Sequence, residues 1–246
     1  IVKTADLAGN ISTAEFVIKI DKNATSNPEL IVIEGDKNED SEWYKGNSVV
    51  IQVTNGEQSE GSSKIVKTIY SIKGTNEVKE TAIENGGTIT ISENGIYTIS
   101  AYSINEAGQR SEDTTIIIKK DNTIPNTPNI EITEGTKAEN SDWYLDDVTL
   151  KVTKAQTEEH LSPISKVTYK IEGPTLMEET EIEDGGTIQL HENGRYIITV
   201  YNYNEAGYKS KGKSITIKKD DTTLSEPNIE VVAGTKNENS DWYIDN

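Results

Sequence analysis

The three tryptophans of this chain sit inside nearly the same phrase: "NEDSEWYKGN" at Asn38–Asn47, "AENSDWYLDD" at Ala138–Asp147 and "NENSDWYIDN" at Asn237–Asn246. Trp43, Trp143 and Trp242 are spaced by 100 and then 99 residues. Such a period constrains the fold before composition does, because it makes the chain a row of like units. The likeness runs well past the tryptophan. "GGTITISENGIYTISAYSINEAG" (Gly86–Gly108) answers to "GGTIQLHENGRYIITVYNYNEAG" (Gly185–Gly207), "IIIKKD" (Ile116–Asp121) answers to "ITIKKD" (Ile215–Asp220), and Pro28, Pro128 and Pro227 keep step. "TADLAGNISTAEFVIKID" (Thr4–Asp21) matches the end of a unit. The expected organisation is therefore the C-terminal strands of a truncated repeat in 1–25, complete repeats in 26–122 and 123–222, and the N-terminal part of a further repeat in 223–246. With no initiator Met and no secretion signal, the chain reads as a window cut from a longer tandem array. The rival reading has head and tail complementing each other between neighbouring chains.

Each unit has about 100 residues, enough for one domain with one core. The hydrophobic share is 33%, and it falls on Ile, Val and Tyr, which favour strands. Apolar residues alternate in short runs between Gly, Asn and Ser and never recur at helical spacing over three turns. In the first complete unit the pattern predicts strands at Glu29–Glu34, Ser48–Thr54, Lys64–Ile72, Val78–Ile83, Gly87–Ser92, Gly95–Ile104 and Asp113–Lys120. The second repeats them, from Asn129–Glu134 to Lys213–Lys219. Seven short strands per unit imply an all-β fold of tandem immunoglobulin-like (fibronectin III-like) seven-stranded β-sandwiches.

Alternation in the sixth strand puts Tyr97, Ile99 and Ala101 on the core side, and Tyr196, Ile198 and Val200 in the next unit. Tyr97 and Tyr196 follow Asn-Gly pairs near the start of that strand, which favours a tyrosine corner where the chain crosses between sheets. The competing expectation is a direct Asn-Gly hairpin joining strands five and six. The Trp-Tyr pair before the second strand is expected to plug the end of its own unit's core, the alternative being an aromatic surface that stacks on sugars.

Chemistry is sparse. Cys is absent, so neither disulfides nor thiolate metal sites arise. The net charge of −18 argues against a nucleic-acid partner, and no stretch approaches the roughly 18 apolar residues of a membrane-spanning segment. His160 and His191 are the only histidines, and both read as incidental. No zinc-protease, nucleophile-elbow or phosphate-loop motif occurs. The expectation is a non-enzyme with no catalytic, cofactor-binding or metal residues.

The phrases "EWYKGNSVVIQV" and "DWYLDDVTLKV", "KIVKTIYSIKG" and "PISKVTYKIEG", "ENGIYTISAYSINEAGQRS" and "TADLAGNIS", each set closed by "IKID" or "IKKD" and a Pro, resemble the tandem bacterial immunoglobulin-like repeats of Gram-positive cell-surface proteins. The resemblance covers the whole chain. It implies an extracellular protein, at the bacterial cell surface or secreted, acting as a structural stalk or spacer array that projects or assembles a surface protein. Its partners would be the neighbouring units. The alternatives are an adhesive module for a host glycan or matrix protein, accessory modules of a secreted glycosidase, and a self-assembling fibre subunit. Asp-x-Ala-Gly-Asn, typical of the family, is intact at Asp6–Asn10 but becomes "NEAGQ" at Asn105–Gln109 and "NEAGY" at Asn204–Tyr208, which loses the first acid. Calcium at the unit junctions is the one cofactor to weigh, with Asp121, Asp220 and Asp221 as its residues and Glu39, Asp40 and Glu42 in a loop near by. An internal Lys–Asn bond is disfavoured, because no Lys recurs at an inward position of a first strand. Pro125, Pro128 and Pro227 restrict the linkers toward extended conformations, so units about 40 Å long would stack as a semi-rigid rod.

Overall fold

The computed structural model describes residues 1–245. Two strands open the chain, β1 (Val2–Ala5) and β2 (Ile11–Ala14), paired only with each other and exposed throughout. The first sandwich follows with β3 (Glu29–Lys37), β4 (Trp43–Thr54), β5 (Ile65–Gly74), β6 (Val78–Ile83), β7 (Thr88–Ile91), β8 (Gly95–Asn105) and β9 (Thr114–Lys120). The second holds β10 (Asn129–Glu134), β11 (Trp143–Tyr144), β12 (Val148–Thr153), β13 (Ile164–Glu172), β14 (Met177–Ile182), β15 (Thr187–Leu190), β16 (Gly194–Asn204) and β17 (Lys213–Lys219).

In the second sandwich one sheet runs β10-β12-β15 and the other β11-β17-β16-β13-β14. Three strands face four, plus a short segment that pairs in parallel with the last strand, which is the arrangement of a fibronectin III-like immunoglobulin sandwich. The first sandwich has the same plan, except that β4 is continuous and serves both sheets. Its later half pairs with β3 and β7, and Trp43–Tyr44 pairs in parallel with Lys119–Lys120.

Alternation places the cores as the pattern predicts. Tyr97, Ile99 and Ala101 are buried between the sheets with Val49, Ile51 and Ile118, while Ile96 faces out. Tyr196, Ile198 and Val200 fill the second core with Leu150, Val152 and Ile217. Each such aliphatic contributes about 1.5–3 kcal/mol by leaving water. The two cores share no residue. The fifth and sixth strands lie in opposite sheets and form no hairpin: β7 pairs with β4 and β15 with β12, while β8 and β16 sit in the other sheet. The hydroxyl of Tyr196 donates to the Glu192 carbonyl at 2.8 Å, and that of Tyr97 to the Glu93 carbonyl at 3.2 Å, so both units turn on a tyrosine corner.

Two buried lysines went unforeseen. Lys120 and Lys219 end β9 and β17, and their Nζ atoms donate to the side-chain oxygens of Asn94 (3.1 Å) and Asn193 (3.3 Å). Burial pushes Lys120 below the usual lysine range, whereas the hydrogen bond to Asp221 pushes Lys219 up. The difference follows from sequence. Where the second unit has Asp221 and Asp147 beside the ammonium, the first has Asn122 and Asn47.

On the outer face of the second sandwich, the Glu179 carboxylate accepts from Lys209 Nζ (2.6 Å), Thr168 Oγ1 (2.7 Å) and the Tyr203 hydroxyl (2.8 Å). Burial alone would raise its pKa, but those three donors outweigh it and bring the group from 4.5 to about 2. The first unit has Ile69 and Ile104 where the second has Thr168 and Tyr203, so the donor set belongs to one unit.

Two outcomes follow. Tyr196→Phe removes the corner bond without changing shape and should cost the second sandwich about 1 kcal/mol in urea unfolding; an unchanged midpoint would show the corner to be packing alone. Because the folded pKa of Glu179 is depressed, its contribution is complete above about pH 4.5 and lost as pH falls toward 2. Carbon-13 titration should place its midpoint near 2, and Glu179→Gln should remove that part of the acid sensitivity from the second sandwich only.

Candidate functional site

Sites in a repeat protein lie on its loops or between its units, and here the structured polar contacts concentrate where the two sandwiches meet. The chain leaves β9 at Asp121, whose N–H donates to the Tyr44 carbonyl of the first sandwich (2.9 Å). Its carboxylate is wholly buried and turns the other way. Oδ2 accepts from the backbone N–H (2.9 Å) and hydroxyl (2.5 Å) of Ser162 in the second sandwich. Oδ1 accepts from the N–H (2.8 Å) and hydroxyl (2.5 Å) of Thr123 in the linker. Asn204, ending β16, holds the linker too, as its Nδ2 donates to the Thr123 carbonyl (3.2 Å). Asn202 Nδ2 does the same for the Asn126 carbonyl (2.8 Å).

One period earlier the seat recurs. Asp21 Oδ2 accepts from Ser63 N–H (2.7 Å), Ser63 Oγ (2.6 Å) and Asn105 Nδ2 (3.2 Å), and hydrogen bonds led by that of the Ser63 side chain hold the Asp21 carboxyl below the usual range. The Asp, Ser and Asn of each seat come from the linker, the loop before the third strand and the end of the sixth, which no local sequence signal connects.

A second point of contact lies beside the first. The turn between β3 and β4 reaches the loop after β16: Asn38 Nδ2 (2.7 Å) and Ser41 Oγ (2.6 Å) donate to the Glu205 carbonyl, and Trp43 Nε1 donates to the Glu205 carboxylate (3.0 Å). Gly46 N–H reaches the Tyr208 hydroxyl at 3.3 Å. Gly207, at φ +89°, lies under Asn38, whose side chain would stand 3.5 Å from a Cβ placed there. Trp43 is 3% exposed, against 40% for Trp143 and 79% for Trp242. The expectation that this tryptophan plugs the core of its own unit is therefore corrected. Its ring stands outside the first core cluster, and the acceptor that a buried indole N–H needs is supplied by the next unit.

The junction aspartates expected to hold calcium are engaged by the chain's own donors. Asp121 is saturated by hydrogen-bond donors, Asp220 accepts from Thr222 N–H (2.9 Å), and Asp221 accepts from Lys219 Nζ (2.7 Å). The loop of Glu39, Asp40 and Glu42 does lie at the joint, where Glu42 takes Lys37 Nζ at 2.9 Å. Among the described residues no three His, Cys, Asp or Glu side chains converge as a ligand set. His191 sits on the surface against Asp147 (2.7 Å) and His160 on the surface near Glu158 (3.4 Å), far apart in the sequence and in separate pairs. Among the described residues, no helix is long and apolar enough to cross a membrane.

No family model matches the chain, and no curated protein sequence does. Solved structures similar to it include the fibronectin(III)-like modules of Clostridium thermocellum CbhA, at 13% identity and a TM-score of 0.34, covering 82% of this chain and 100% of that one. The FN1–FN3 domains of chicken CNTN1 are similar at 13% identity and a TM-score of 0.31, covering 88% of this chain and 76% of theirs. The order of the strands in the two sheets is what defines each sandwich.

The joint generates its own test. Asp121→Asn turns a donor toward Ser162, and leaving buried groups unpaired should cost about 1–3 kcal/mol in denaturant unfolding. Trp43→Phe keeps an aromatic side chain, though a smaller one, and loses the bond to Glu205; residual dipolar couplings should then show the two sandwiches reorienting, with each core's spectrum unchanged. A fixed orientation in both variants would mean that neither contact sets the joint.

Proposed function

We propose that the chain is a non-enzymatic spacer, a run of immunoglobulin-like units that holds another part of a bacterial surface or secreted protein away from its anchor. Sandwiches of this architecture are common in cell-surface proteins. The observation that carries the reading is the two-point joint: Asp121 seated on Ser162, and Trp43 on Glu205. One contact alone would let the units swivel, whereas two contacts on separate loops hold an axis. The acidic balance of 24 Lys and Arg against 42 Asp and Glu keeps such a row dispersed in water.

Half-exposed Trp143 favours the second reading, an adhesive surface for a glycan or matrix protein. The joint explains the same exposure without a foreign ligand, since Trp143 holds the position of Trp43 with no Glu205-like loop against it.

The two readings separate in one experiment, in which the protein is passed over a panel of glycans and extracellular-matrix proteins while small-angle scattering measures its length. The spacer predicts no saturable binding and one narrow distribution of lengths. A hit abolished by Trp143→Ala in a folded protein would replace it with the adhesive reading, and a broad length distribution would remove the stiffness on which it depends.

A further inference from the structure

Each sandwich takes the chain in at one end and lets it out at the other. In the first, Glu29 of β3 stands opposite Thr54 and Lys37 opposite Tyr44, while Tyr44 pairs in parallel with Lys120, the last residue of β9. The entry at Glu29 and the exit at Lys120 are thus separated by nearly the length of β4, and Thr114 Oγ1 at the start of β9 donates to the Pro28 carbonyl (2.6 Å). The second sandwich repeats this, with Asn129 opposite Thr153, Tyr144 beside Lys219, and Lys213 Nζ donating to the Asn129 side chain (3.0 Å). A pull on the linkers therefore runs along the first and last strands, across antiparallel ladder bonds that lie perpendicular to them. Those bonds are loaded together and not opened one at a time.

At each exit sits a wholly buried lysine. Lys120 Nζ donates to Asn94 Oδ1 (3.1 Å), and the same oxygen accepts the N–H of Asn122 in the linker (3.0 Å). Lys219 Nζ donates to Asn193 Oδ1 (3.3 Å), which accepts the Asp221 N–H (3.1 Å). One side chain of the corner turn thus holds both the end of the last strand and the chain that leaves it. That turn is itself fixed, since the Tyr97 and Tyr196 hydroxyls donate to the carbonyls of Glu93 and Glu192 just before it. Equilibrium stability does not ask for a lysine here, because well-packed apolar side chains commonly replace buried ionic groups without loss. What an apolar side chain lacks is a bond that must break before the strand slides toward its exit.

The two exits differ in grip. Lys219 Nζ also meets the carboxylates of Asp221 (2.7 Å) and Asp147 (3.4 Å), whereas Asn122 and Asn47 stand at those places in the first unit. A carboxylate adds to the hydrogen bond an attraction between opposite charges that an amide does not supply. The end of β17 is therefore held harder than the end of β9.

We propose that the chain bears tension along its length, and that Lys120 and Lys219 latch β9 and β17 against it. A load drawn through the linker reaches Asn94 or Asn193 first, and passes from there into the corner turn before it reaches the ladder of the last strand. The inference rests on the spacer reading for the direction of the load. A broad distribution of lengths in scattering would remove that reading and leave the force at which each sandwich opens unchanged, so the two fail separately.

Stretching single molecules of the whole protein at constant force tests it. Two opening steps are expected, one per sandwich, each lengthening the molecule by about 280 Å. Lys219→Met should speed one step about tenfold or more, and Lys120→Met the other by less, with urea unfolding of both variants close to that of the original. Each variant thereby identifies the step of its own unit. Asn122→Asp gives the first unit the carboxylate that the second already has, and should slow the step that Lys120→Met speeds. Unchanged steps in both lysine variants overturn the proposal. So does a loss of the same size in urea, which would make the lysines ordinary contributors to stability, and so does an Asn122→Asp protein whose first-unit step is no slower.

Discussion

A carboxylate with no exposure to water has to be satisfied by protein donors, since removing an unpaired charge from solvent costs several kcal/mol. Asp121 meets that requirement with four hydrogen bonds, two from the linker that follows it and two from Ser162 in the next sandwich. Its own N–H is spent on Tyr44 in the sandwich before. One residue thus belongs to both units, and its charge is satisfied only when the second sandwich is where it is. Linker prolines limit conformations, but the position of the linker is set by side chains of the second unit, Asn202 and Asn204, holding the carbonyls of Asn126 and Thr123.

The same demand explains a change that reads in sequence as the loss of an acid. The oxygens of Asp6 accept the N–H groups of Ala8 and Asn10 and the Asn10 side chain. At the equivalent position Asn204 accepts the Tyr208 N–H through Oδ1 (2.8 Å), while its Nδ2 faces Thr123 and, at 3.5 Å, Asp121. Asn105 accepts Gln109 N–H (2.8 Å) and turns Nδ2 to Asp21. An amide does both tasks, and a carboxylate there would face another carboxylate in a dry site. Where a buried Asp enters from the linker, Asn suits the end of the sixth strand.

Strands were legible because each buries one face against its own unit, and a period of two in Ile, Val and Tyr shows directly which face that is. Val78–Ile83, Asn129–Glu134 and Lys213–Lys219 coincide with the expected bounds. Tyr97 and Tyr196 were legible for the same reason, since corner and core lie within one strand and the turn before it. The joint was not. Trp43 has the spacing and flanks of a residue closing its own sandwich, and nothing along the chain says that its N–H is answered 162 residues later, at Glu205. Nor does the pattern distinguish Lys120 from Lys119. They are neighbours in "KKD", yet only Lys120 points inward and turns its ammonium to Asn94 at the mouth of the sandwich.

The joint is held by hydrogen bonds and one indole, and that choice has a physical consequence. An apolar interface of the same size would leave a greasy patch on every unpaired unit, whereas Ser, Asn and Glu leave surfaces that water also satisfies. Within the chain the short linker presents the next unit at an effective concentration on the order of millimolar, which favours such contacts. A joint built from paired donors and acceptors thus fixes which groups must meet across it, which an apolar contact of the same size would leave less defined.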